Sequence, residues 1–88
     1  MMNKEELKEF LAEAHPESVF FENPSYETAI IGYSEDYRVI YEYNKMVEWL
    51  IKTDNMTEEE AREFISYNTI RALPYMGVFA PIILMNEL

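Results

Sequence analysis

Met56–Gly77, MTEEEAREFISYNTIRALPYMG, is the stretch around which the rest of the chain is arranged. Thr57 is placed to cap a helix, since its hydroxyl accepts from unpaired amides of the first turn, and Glu60 three residues later completes a capping box. Met56 and Ala61 have the spacing of a hydrophobic staple. Glu58, Glu59 and Glu60 put negative charge where the helix dipole favours it, and Glu58 with Arg62 is a correctly oriented i, i+4 pair. The apolar stripe then runs through Ala61, Phe64, Ile65 and Ala72, broadened by Ile70 and Leu73, with Asn68 where another apolar residue belongs. Asn68 is thus expected to be a buried amide bonded to nearby backbone, or else a ligand contact. Pro74 disfavours helical geometry at Leu73, so the helix is expected to stop there.

The flanking segments read as elements that cover this helix. Asn3 and Glu6 form another capping box, with Met2 and Leu7 as its staple, and Leu7, Phe10, Leu11 and Ala14 make one amphipathic face that ends near His15 before Pro16. Val19, Phe20 and Phe21 are expected to pin an irregular loop to the core, with a docking knob as the functional alternative, and Asn23-Pro24-Ser25 signals a turn. Thr28–Tyr33 and Tyr37–Tyr43 read as a hairpin closed by Ser34-Glu35-Asp36. On its second strand Tyr37, Val39, Tyr41 and Tyr43 share one face, either packed under helices or serving as an aromatic, acid-rimmed binding surface. Asn44 is the expected cap of a second helix, with Met46, Val47, Leu50 and Ile51 inward and Trp49 on its flank. Ile82–Met85 reads as a buried third strand or a homodimer seam. The order is α-β-β-α-α-β, an α+β domain spanning residues 1–88, in which three helices pack on a small antiparallel sheet made of the hairpin and the C-terminal strand.

Composition excludes several chemistries. The chain has no Cys, which removes disulfides, thiolate metal sites and a Cys nucleophile, and its single His rules out a His-rich metal site. Ser18, Ser25, Ser34 and Ser66 sit in no nucleophile-elbow context, and Gly32 and Gly77 cannot build a phosphate-cradling loop. No catalytic residue, cofactor or metal is assigned, and a non-enzyme is expected. The N-terminus lacks an apolar signal core and the longest apolar run is broken by prolines, so a cytosolic protein away from membranes is expected.

Charge points instead to partners. Net charge is −10, and the acids crowd residues 1–36 and the start of the central helix, whereas residues 64–86 carry only Arg71. Such a field repels nucleic acid and steers toward basic proteins. The expected acidic contacts are Glu35, Asp36, Glu58, Glu59, Glu60 and Glu63, with aromatic contacts from Tyr37, Tyr41, Tyr75 and Phe79.

The stretches AIIGYSED, NMTEEEAREFISYNTIRAL, PYMG and API, between Ala29 and Leu84, resemble a family of small accessory proteins encoded by bacteriophages and prophages. In that pattern a Gly often follows the acidic hairpin turn, where this chain has Tyr37. The resemblance implies a phage protein acting in the host cytoplasm. Joined to the charge, it leads to an expected non-enzymatic, anti-defence (anti-CRISPR-like) inhibitor. Its partner would be a host nuclease or other nucleic-acid-binding protein with a basic surface, engaged by nucleic-acid mimicry. The alternative is an interaction or homodimeric assembly module that uses the uncharged C-terminal third.

Overall fold

The computed structural model describes residues 3–86. Helix α1 (Lys4–Ala14) starts at a complete Asn3/Glu6 capping box and buries Leu7 and Leu11. Ala14 stays exposed, and the staple partner Met2 lies outside the described residues. Strands β1 (Ile30–Tyr33) and β2 (Val39–Glu42) pair antiparallel, as the hairpin reading requires, with a register shift between Ile30 and Gly32. The strands are shorter than expected, because Glu27–Ala29 form a 3-10 turn and Tyr43 opens the next helix.

Helix α2 (Tyr43–Asp54) is capped by Glu42, whose carboxylate accepts from Lys45 N at 2.9 Å, rather than by Asn44. Asn44 instead donates from its side chain to Asn86 O at 2.8 Å. Met46, Val47 and Leu50 are buried, but Ile51 is exposed. Its place against the core is taken by Trp49, whose ring lies 5.6 Å from that of Tyr26.

Helix α3 (Glu58–Phe64) begins at the Thr57/Glu60 box, with both reciprocal bonds present. It then changes pitch. The N–H of Ile70 reaches the carbonyl of Ile65, five residues back, so Ile65–Thr69 form a π turn, and a 3-10 segment continues from Ile70 to Tyr75. Pro74 therefore sits inside helical structure instead of ending it at Leu73; the tighter coil closes with Met76 N on Leu73 O at 3.0 Å. The extra residue in the π turn moves the inward face along by one. Ala61, Ile65 and Thr69 are buried, and Asn68 is exposed, its amide donating to Phe64 O at 3.3 Å. The expected backbone bond of Asn68 exists, but its expected burial does not.

Strand β3 (Ile82–Leu84) joins β2 in the sheet order β1-β2-β3. It pairs parallel to β2, with Ile40 opposite Ile82 and Glu42 opposite Leu84, so the sheet is mixed where an antiparallel one was expected. Residues 43–81 form a helical connection long enough to carry the chain back to the starting end of β2, which a parallel pair demands. That return is pinned by Arg38 Nε donating to Ala80 O at 2.8 Å and by Val19 N on Phe79 O at 3.4 Å. Leu7, Leu11, Phe21, Tyr26, Val39, Tyr41, Met46, Leu50 and Ile65 meet in one core between sheet and helices. Among the described residues no buried side-chain nitrogen or oxygen lacks a hydrogen-bond partner.

Candidate functional site

The acidic residues named from the sequence fall in two places. Glu35 and Asp36 form the exposed tip of the hairpin, where the Ser34 hydroxyl bonds the Asp36 carboxylate. Glu58, Glu59, Glu60 and Glu63 are exposed on α3. Two of these four have structural duties: Glu60 accepts from Thr57 N at 2.8 Å, and Glu58 pairs with Arg62 at 3.1 Å. Among the described residues the only other ion pair is Lys4–Glu27 at 3.0 Å. Nearly all the negative charge is therefore uncompensated by neighbouring cations, which preserves its field in solution.

The four aromatic residues separate more sharply. Tyr41 is fully buried, its hydroxyl accepting from Phe21 N at 2.9 Å. Desolvation pushes its pKa up to about 12, with the backbone bond pulling the other way. Tyr41 is thus a core residue and offers nothing to a partner, because the second strand lies under the helices on that face. Tyr75, by contrast, is 89% exposed. Tyr37 and Phe79 come together around His15: the Tyr37 ring stacks on the imidazole at 5.2 Å and 13°, and Phe79 meets it edge-on at 4.3 Å. Tyr33 also stacks on Tyr37, at 6.0 Å and 9°.

Tyr37 holds a left-handed backbone with φ +63°. Its N–H closes the turn on Ser34 O at 2.9 Å, and Ser34 N bonds Arg38 O at 2.8 Å. This is the three-residue hairpin loop whose last position normally takes Gly. Ser18 holds the loop in place, its hydroxyl donating to Tyr37 O at 2.5 Å while His15 Nδ1 lies 3.1 Å from Ser18 Oγ. Because the only hydroxyl proton of Ser18 goes to a carbonyl, the imidazole nitrogen donates to Ser18. The pair clamps the hairpin and is not arranged as a nucleophile with its base.

Sequence reading missed the concave features. A hollow of about 420 Å³ opens between the Phe21–Tyr26 loop and the altered helix, walled by Phe21, Pro24, Phe64, Ala72 and Met76, with Glu22, Asn23 and Asn68 also lining it. At its edge Tyr26 and Thr69 share a buried hydroxyl–hydroxyl bond of 2.6 Å. Across Phe64 and Asn68 it abuts a shallower hollow of about 320 Å³ lined by Met56, Glu60, Glu63 and Tyr67. The anomaly of Asn68 on an apolar stripe was the one signal in the sequence. Another hollow of about 420 Å³ lies beside Trp49, where Lys45 and Lys52 are balanced by Glu27 and Glu48.

Among the described residues no group of three or more His, Asp or Glu side chains is placed to hold a metal ion, and no helix is long and apolar enough to cross a membrane. No protein-family model, curated protein or solved structure matches this chain.

Proposed function

We propose that this chain is a non-enzymatic, phage-type accessory protein that binds and inhibits a cationic host protein, such as a defence nuclease, by presenting carboxylates where nucleic acid would lie. The observation that carries this reading is the scarcity of ion pairing: among the described residues only Glu27 and Glu58 form an ion pair, in a domain of net charge −10. Solvated, unpaired charge accelerates association with a basic surface, and an exposed aromatic such as Tyr75 adds contact energy at short range. The test is affinity capture from bacterial lysate followed by elution with duplex DNA. The expected result is a nucleic-acid-binding protein that DNA displaces, and whose retention falls between low and moderate salt. The triple variant Glu35→Gln, Glu59→Gln, Glu63→Gln removes three unpaired charges and should weaken capture. Retention indifferent to salt, DNA and these substitutions refutes the reading.

A second reading, assembly through the uncharged C-terminal third, draws on Tyr75 and Val78, the latter 80% exposed. It predicts self-association that survives high salt and is lost in Val78→Asp, measured by sedimentation. Val78 suits this test better than Phe79, which is packed on His15.

A further inference from the structure

The two hollows that meet at Phe64 and Asn68 carry charge of one sign only. Glu22 lines the deeper one, Glu60 and Glu63 the shallower, and no Lys or Arg lines either. The hollow beside Trp49, in contrast, mixes two lysines with two glutamates. Apolar walls inside an exclusively acidic rim are complementary to a chain segment that alternates a greasy side chain with cationic ones. The shape also has a specific origin. The π turn swings Thr69 inward to Tyr26 and leaves Asn68 on the ridge between the hollows. Such turns recur at functional sites because they break an otherwise uniform helix surface. Asn68 commits an amide hydrogen to Phe64 O, which leaves its Oδ1 available to a peptide N–H.

We propose that this paired hollow is the docking groove for a short basic segment of the partner protein. One apolar side chain of that segment sits between Phe21 and Met76, and lysine or arginine side chains flank it over Glu22 and Glu63. The assignment rests on the acidic-surface reading above and adds to it the place and the anchor.

The probes are two capped lysine/arginine peptides, one with a central phenylalanine and a twin with serine there, titrated by calorimetry and amide-shift mapping at low and moderate salt. Burying the phenyl ring should make the first peptide bind about tenfold or more tighter than its twin. The shifts it adds should fall in Phe21–Tyr26 and Phe64–Met76. Asn68→Trp fills the ridge without changing charge, and should erase the gap between the peptides while both keep a weak, salt-sensitive affinity. Equal affinities, or added shifts away from those two segments, overturn the groove but leave the acidic surface standing. If neither peptide binds even at low salt, the acidic-surface reading falls and the groove with it. A peptide-free dimer that Asn68→Trp dissociates gives the groove to a second copy of the chain, and also overturns the proposal. The shift mapping on the unaltered protein decides the matter even if the tryptophan variant fails to fold.

Discussion

Changing Thr69 to Val deletes one hydroxyl and leaves the O–H of Tyr26, fully buried, without its 2.6 Å partner. A buried donor left unpaired costs about 1–3 kcal/mol, because the protein interior offers no water in exchange. In a domain of this size each kcal/mol moves Tm by about 4–8 °C, so Thr69→Val should lower it by something on the order of 5–20 °C. Asn68→Ala, one residue earlier, gives up only an exposed bond of 3.3 Å to Phe64 O. It also gains helix propensity, and should stay within about 0.5 kcal/mol of the parent. A regular α-helix through this segment would put residue 68 at the middle of the inward face and move residue 69 to its flank. The pair is read by urea unfolding, followed through Trp49, whose ring sits 5.6 Å from Tyr26. In a Tyr26→Phe background the Thr69→Val change should become nearly silent, giving a coupling of about 1–2 kcal/mol across the double-mutant cycle. The Tyr26 hydroxyl offers a further readout. Burial raises its pKa and the Thr69 bond draws it partly back, so Thr69→Val should raise it again, as seen by tyrosinate absorbance. An Asn68→Ala variant less stable than Thr69→Val, or a cycle with no coupling, would refute the π-turn register.

Two other predictions concern tyrosines. Tyr41 ionises near 10 in an unfolded chain and at about 12 in the fold, so its contribution is complete below pH 10 and is lost as pH climbs from 10 to 12. That loss amounts to about 3 kcal/mol, and Tyr41→Phe should flatten the alkaline stability profile measured by urea unfolding; an unchanged slope refutes the assignment. At the hairpin, Tyr37→Gly relieves a left-handed strain of about 1–2 kcal/mol while losing ring contacts worth about 0.5–1.5 kcal/mol each, so stability should move by under about 1 kcal/mol. Tyr37→Val keeps the strain and loses the rings, and should cost about 2 kcal/mol; similar melting points for the two variants would contradict the loop geometry.

The parts of the fold that were legible in the sequence are those specified by short-range chemistry. The Asn3/Glu6 and Thr57/Glu60 boxes each involve residues three apart, so their spelling and their geometry coincide. The hairpin was likewise written in a polar turn between two apolar runs. The direction of β3 was not legible, because a short apolar run has no sense and only the path of residues 43–81 decides it. Nor was the π turn, since a bulge in a helix is selected by what waits opposite it, here the Tyr26 hydroxyl. Alternation correctly put Tyr41 with Val39 on one face but could not show how much chain covers that face. For the candidate site, the exposed acids could be read from composition, whereas the groove depends on the loop before Tyr26 meeting the altered helix. Its two walls lie some forty positions apart.

The parallel seam between β2 and β3 also bears on how the molecule assembles. Pairing across residues 43–81 closes a loop whose chain entropy is on the order of 3 kcal/mol, so the three rungs of β3 can form stably only after both helices have shortened that path. The hairpin and α2, contiguous at Glu42, need no such delay. The seam is therefore the last piece to lock and the first to loosen, and hydrogen exchange should find the amides of Ile82–Leu84 releasing their deuterons ahead of those in α2.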